Sequence, residues 1–162
     1  MKNSIGIIGG GFVGSAIKNY YDNAVVYDKY KNSDSLEAVL KQSYIFLAVP
    51  TPYNEQGFDK SALEEALQSI ASNVTDKVVV IKSTVEPGTT DYFQEKYPQL
   101  KIVFNPEFLT EVTGDQDFKH PDRQIIGYTK QSYTIAHDLL ALLPQAPFER
   151  IIPAKAAEVV KY

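Results

Sequence analysis

The stretch SIGIIGGGFVG, Ser4 to Gly14, decides the fold. A short apolar run, Ser4 to Ile8, leads straight into Gly9, Gly10, Gly11, Phe12, Val13 and Gly14, a G-x-G-x-x-G string at the exit of an expected strand and the mouth of an expected helix. Gly9 permits the tight turn, Gly11 lets backbone come close to a pyrophosphate, and Gly14 lets the helix pack against the strand. Phe12 and Val13 fall at the helix mouth, where free N–H groups and the positive end of the dipole meet the phosphates. The next apolar run, Ala24 to Tyr27, closes on Asp28, nineteen positions after Gly9. A carboxylate there accepts hydrogen bonds from the adenosine ribose hydroxyls and repels a 2′-phosphate, which favours NAD over NADP. Lys29 and Lys31 nearby soften that preference.

Further apolar runs, Tyr44 to Val49, Lys77 to Ile81, Lys101 to Phe104, Gln124 to Gly127 and Phe148 to Ile152, alternate with segments of helical spacing. This reads as βαβ units: a Rossmann-type, doubly wound, mostly parallel sheet with helices on both faces. Leu63, Ala66, Leu67 and Ile70 mark one helix, with Ser61 as its N-cap. Ile135, Leu139, Leu142 and Leu143 mark another, stopped near Pro144. The loops after the third and fourth strands, Val49-Pro50-Thr51 and Ser83-Thr84, lie at C-terminal strand ends, where open parallel sheets bind ligands. They are expected to line the dinucleotide.

The chain has 162 residues, 44% of them hydrophobic and 22% charged, enough for one sizeable core. Its net charge of −4 supplies no field for nucleic acid or an anionic membrane. It has no cysteine, hence neither disulfides nor thiolate metal sites, and no apolar run approaches the ~20 residues of a membrane span. A cytoplasmic protein without metal, membrane or nucleic-acid partners is expected. Pro153 is followed by AKAAEVVKY, strong helix formers with no stop signal, so residues 1–152 read as the NAD-binding domain and 153–162 as the start of a helix cut in mid-course.

Five segments together resemble the UDP-glucose/GDP-mannose dehydrogenase family: GIIGGGFVG (Gly6 to Gly14), FLAVPTP (Phe46 to Pro52) with the following Tyr53 to Leu63, IKSTVEPGTT (Ile81 to Thr90), FNPEFLTE (Phe104 to Glu111) and DFKHPDRQIIG (Asp117 to Gly127). AAEVVKY (Ala156 to Tyr162) is similar to the opening of that family's long central helix. The resemblance implies oxidation of the C6 alcohol of a nucleotide sugar to a carboxylate, with two NAD molecules each taking a hydride. It implies that Thr84 and Glu107 hold a water or move a proton, that Glu111 lies beside the nicotinamide, and that Lys161 stabilises a developing oxyanion. Glu107, Phe108, Leu109 and Lys161 would meet the sugar nucleotide. Such roles suit the residue types, a carboxylate acting as base through an oriented water and an ammonium meeting charge that appears only in the transition state.

The bland alternatives remain open at this stage. Thr84 would cap its loop, Glu107 and Glu111 would share one solvated face of a helical turn, and Lys161 would be an ordinary helix lysine. His120 and His137 read as surface or core histidines, and Asp122 with Arg123 as a loop ion pair. The family's second oxidation uses a cysteine of a later domain, absent here, so the chain is expected to be an N-terminal portion, monomeric or weakly dimeric, that meets a nucleotide sugar such as UDP-glucose only in the full-length enzyme. Two other readings are a non-catalytic NAD-binding module and the N-terminal domain of a 6-phosphogluconate or 3-hydroxy-acid type dehydrogenase.

Overall fold

The computed structural model describes residues 3–162. Strand β1 (Ile5–Ile8) enters the glycine turn and helix α1 (Phe12–Tyr20), which returns to β2 (Val25–Tyr27). Helix α2 (Leu36–Leu40) then crosses to β3 (Tyr44–Leu47), and a small hairpin, β4 (Tyr53–Asn54) and β5 (Gly57–Phe58), precedes α3 (Ser61–Asn73). Next come β6 (Val78–Ile81), α4 (Thr89–Lys96), β7 (Lys101–Phe104), α5 (Gly114–Lys119) and β8 (Arg123–Tyr128). A 3-10 turn (Tyr133–Ile135) opens α6 (Ala136–Leu142), and β9 (Phe148–Pro153) passes into α7 (Ala154–Lys161).

Seven strands form one sheet in the order β2-β1-β3-β6-β7-β8-β9, parallel except that β8 runs against β7. Strands β1, β3 and β6 are buried along their whole length, because helices cover both faces. One core layer packs Leu63, Leu67, Ile70, Phe93 and Ala157 on one side of the sheet; the other packs Ile17, Phe118, Ala136 and Leu139. The chain winds one way from β1 to β2 and the other way to β3, so a switch point opens at the C-terminal ends of β1 and β3.

The expected doubly wound sheet is therefore present, with adjustments. Ser4, Ala24, Val49 and Lys77 lie outside the strands assigned to them from the sequence. Ser61 is not an N-cap: it is the first residue of α3, the N-cap position falls on Lys60, and the Ser61 N–H donates to Asp59 Oδ1 at 2.9 Å. Pro153 is the last residue of β9 and the N-cap of α7 rather than a first-turn residue. Strand β8 meets β7 through only two residue pairs, Val103 with Tyr128 and Phe104 with Gly127.

Helix α7 is docked, not trailing. Ala154, Ala157 and Glu158 are buried, and a Cβ on Gly127 would stand 2.8 Å from Ala157 Cβ, so the helix lies flat on β8 because both contact surfaces are small. Glu158 accepts from Gly88 N at 2.6 Å, Thr90 N at 2.8 Å and Thr90 Oγ1 at 2.6 Å. Its carboxylate thereby satisfies the free amides at the start of α4 and ties α7 to the loop after β6.

Candidate active site

The glycine turn is dictated by space. Gly9 has φ +107°, and a Cβ there would lie 2.3 Å from Ala48 O; one on Gly14 would lie 1.8 Å from Gly9 O. Around Gly11, by contrast, no atom stands within 4 Å of a would-be Cβ. Gly11 is the N-cap of α1 and offers no side-chain cap, so the first amides of that helix face open space that suits a pyrophosphate. Phe12 is exposed and lays its ring edge against Gly114, which fixes the start of α5 beside the turn.

Asp28 Oδ1 accepts from Tyr30 N at 2.8 Å and Oδ2 from Gly10 N at 2.7 Å. These two amides, first Tyr30 and then Gly10, with Lys31 adding attraction, hold the carboxyl below the usual carboxylate range. It is an anion at neutral pH, and each oxygen keeps a lone pair for a ribose hydroxyl. Lys31 Nζ donates to Gly10 O at 2.7 Å across the same corner. Beside Asp28, a cleft of about 140 Å³ is walled by Ile8, Tyr27, Leu36, Val49, Pro50 and Ala66, an apolar slot of the kind a flat adenine ring fills.

On the other side of the switch point, Val13, Val49, Thr51, Lys82, Ser83, Thr84 and Glu107 enclose a second cleft of about 140 Å³. Ser83 Oγ donates to Val49 O at 2.6 Å and Thr51 Oγ1 to Thr84 O at 2.6 Å. The two loops after β3 and β6 are thus bolted to each other through hydroxyls that sequence reasoning had assigned only to the dinucleotide. The Thr84 hydroxyl has no hydrogen-bond partner among the described residues.

Glu107 stands at the edge of this cleft on the extended segment after β7. Its Oε2 accepts from Leu109 N at 2.6 Å, and Lys161 Nζ donates to its main-chain O at 2.7 Å and approaches Oε1 at 3.5 Å. Lys161 and Glu107 expose only 19% and 17% of their side chains, so Lys161 is no ordinary solvated helix lysine. The Phe108 ring meets two cations, Lys161 Nζ at 5.3 Å and Arg123 Cζ at 5.0 Å from its centre. Leu109 packs partly buried against the core beside α1 and α5.

Other expectations separate here. No helix spans Glu107 to Glu111, and Glu111 sits exposed on a turn, away from both clefts. The loop ion pair between Asp122 and Arg123 is not formed; Arg123 stacks on Phe108 instead. His120 and His137 are both exposed, and His120 borders a third hollow of about 230 Å³ together with Lys82, Glu107, Phe108 and Arg123.

The sequence reading passed over Lys82. Only 3% of the residue is exposed, its Nζ donates to Asn105 Oδ1 at 2.7 Å, and it lies 5.7 Å from the Phe118 ring. Burial, the largest influence, pushes its pKa down to about 7; Glu107 opposes that and Lys161 reinforces it. It lines both the second cleft and the third hollow. The one signal available beforehand was its position, a charged residue immediately after the continuously apolar Val78 to Ile81.

Gathered at one edge of a doubly wound sheet, the glycine turn and the two clefts flanking it mark a Rossmann-type dinucleotide-binding domain. Comparison with known proteins narrows the class. The sequence profile of the UDP-glucose/GDP-mannose dehydrogenase family, NAD binding domain, matches residues 15–142. UDP-glucose 6-dehydrogenase from Rickettsia bellii is 32% identical over 155 residues, covering 90% of this chain and 36% of that protein. The enzyme of the same name from Campylobacter jejuni is 39% identical over 101 residues, 60% of this chain and 25% of its own. The chain thus spans about a third or less of the length of these curated relatives. The fold of a UDP-glucose dehydrogenase from Pyrobaculum islandicum superposes with a TM-score of 0.82 at 24% identity, covering all of this chain and 49% of that one. A GDP-mannose dehydrogenase from Pseudomonas aeruginosa gives 0.80 at 22% identity, covering 98% and 48%. The chain belongs to the UDP-glucose/GDP-mannose dehydrogenase family and carries its NAD-binding domain.

Proposed function

We propose that this chain is the cofactor-binding part of a nucleotide-sugar 6-dehydrogenase and contributes Thr84, Glu107 and Lys161 to the reaction. The observation that carries the reading is the meeting of Lys161 with Glu107 at the rim of the cleft that holds the free Thr84 hydroxyl. A pure dinucleotide binder has no use for that arrangement. When bound, NAD supplies the acceptor for the hydride leaving C6. The protein's own groups do the rest. Gly9, Gly11, Phe12, Val13 and Gly14 cradle the pyrophosphate, Asp28 takes the adenosine ribose hydroxyls, and Val49, Pro50, Thr51 and Ser83 frame the dinucleotide along its length. Thr84 and Glu107 orient a water that carries the hydroxyl proton away, and Lys161 meets the negative charge that grows on the sugar oxygen. Phe108 and Leu109 shape the approach for the sugar nucleotide, whose base and diphosphate would be held by the portion of the relatives that this chain does not match. Glu111 belongs beside the nicotinamide only if its exposed turn folds inward with the ligand.

Calorimetric titration with NAD and NADP, repeated on Asp28→Ala, tests the reading. NAD is expected to bind in preference to NADP, and the variant to bind NAD roughly ten-fold more weakly through the lost ribose hydrogen bonds. Tighter binding of NADP than of NAD, or NAD affinity indifferent to Asp28, would contradict it.

A further inference from the structure

We infer that Lys82 is a proton-holding residue of the site, surrendering its proton when the positively charged nicotinamide occupies the second cleft and taking one up when that charge is neutralised. The inference rests on the cofactor reading above and goes beyond it by giving a role to a buried group that the reading leaves idle.

The geometry fixes how this lysine can behave. Asn105 Nδ2 donates to Ile125 O at 2.9 Å and to Gln124 Oε1 at 3.3 Å, so its Oδ1 is held toward Lys82 and can only accept. Gln124 is anchored in turn, its Nε2 donating to Pro144 O at 3.1 Å. Lys82 therefore always spends one N–H on Asn105, whether charged or neutral. When neutral, it keeps one further N–H and a lone pair, and Asn105 is its only hydrogen-bond partner among the described residues. It is the floor shared by the second cleft and the third hollow, with Glu107 in both linings.

The charges around it are Glu107 on the segment after β7 and Lys161 on α7, with Asp117, His120, Asp122 and Arg123 farther out around the hollow. Desolvation outweighs Glu107 and draws the pKa down to about 7, so the amine titrates in the neutral range. At that balance, a positive charge arriving within ~4–6 Å moves the equilibrium by about 1–3 pH units. In the cleft between Val13, Ser83 and Thr84, the nicotinamide end of an extended dinucleotide is such a charge. Oxidation of an alcohol to an aldehyde releases a hydride from carbon and a proton from oxygen. The electron pair leaves with the hydride to the nicotinamide, the ring's positive charge is cancelled, and the neutral Lys82 amine takes the proton through Glu107 or its water. Atoms and charge balance, and the proton taken up is given off when the next positively charged nicotinamide enters the cleft.

Proton linkage tests this without turnover. Titration of the chain at pH 7 with NAD⁺ and with NADH, each in phosphate and in Tris, separates binding heat from buffer ionisation heat. Wild type is expected to release a fraction of a proton on binding NAD⁺ and none on binding NADH, and Lys82→Met to bind NAD⁺ with no proton release. Lys82→Arg, which cannot neutralise, is expected to weaken NAD⁺ by roughly ten-fold while leaving NADH unaffected. In wild type, the ¹³Cε resonance of Lys82 should titrate near pH 7 and move to lower pH with NAD⁺ but not NADH, a readout that does not depend on either variant folding. Equal proton release by wild type and Lys82→Met, or an Nζ midpoint unmoved by NAD⁺, would overturn the inference while sparing the cofactor reading. A folded chain that binds neither nucleotide would overturn both.

Discussion

Replacing Glu158 by alanine should cost the fold a large fraction of its stability, although the residue touches neither cleft. Its carboxylate is fully buried and accepts three hydrogen bonds, from Gly88 N, Thr90 N and Thr90 Oγ1. Removing the acceptor strands these donors in a dry seam between α4 and α7, at ~1–3 kcal/mol for each unsatisfied group. The favourable interaction of an anion with the start of α4 is lost as well, ~1 kcal/mol. Against this stands the cost of burying the carboxylate, which pushes its pKa upward before the Thr90 and Gly88 bonds draw it partly back. With the threonine hydroxyl free to rotate to another acceptor, the balance is about 3 kcal/mol, equivalent to a fall in Tm of roughly 6–12 °C for a domain of this size. Thermal and urea unfolding followed by circular dichroism measure it. Glu158→Gln keeps one acceptor oxygen but turns an NH₂ toward an amide donor, so it should fall between wild type and alanine. A loss below ~2 °C in the alanine variant would refute the argument, because it would mean that α7 is not held to α4 through this side chain.

Two further outcomes follow from the same structure. Gly14→Ala places a Cβ 1.8 Å from Gly9 O, which α1 can relieve only by moving off the strand; a loss of ~3 kcal/mol or more in urea unfolding, together with loss of NAD binding, is expected. Lys82 imposes a pH dependence whose sign is fixed by its lowered pKa: below about 7 the folded chain carries the buried charge, and between there and the ordinary lysine range the unfolded chain binds the extra proton. Stability from this group therefore rises with pH across that window, and Lys82→Met should flatten the wild-type slope measured from pH 7 to 9.5 by urea unfolding.

What could be read in advance was what is local. The glycine string and Asp28 carry their meaning within one βαβ unit, and their spacing alone implied the turn, the helix mouth and the ribose contact. Continuously apolar strands such as Val78 to Ile81 were legible because two-sided burial leaves no alternation. The cap on α3 was misplaced because the N-cap position falls on Lys60, a residue type that carries no capping signal, while its neighbours Asp59 and Ser61 both do. The roles of Lys82, Asn105, Glu158 and Arg123 were out of reach for a different reason. Each depends on partners 15 to 70 positions away, Arg123 against Phe108 and Glu158 against Gly88, and charged or amide residues default to the surface unless a partner is known. The clustering of Thr84, Glu107 and Lys161 was reached only through family resemblance, since nothing in the spacing of three residues on three elements specifies that they meet.

The brief contact between β7 and β8 has a consequence for how the molecule breathes. The five parallel strands from β2 to β7 share a continuous ladder, and β8 with β9 share another of six residue pairs, but only two pairs join them. Beyond those pairs the seam is carried by side chains, Asn105 reaching across to Ile125 O and Gln124, and Thr129 Oγ1 standing 3.3 Å from Ile102 O. The sheet is then two ladders joined by few backbone pairs, with the Asn105 amide among the side chains that stitch them. Because that amide also holds Lys82, an opening of the seam at Asn105 would loosen the lysine with it, coupling local opening to its protonation.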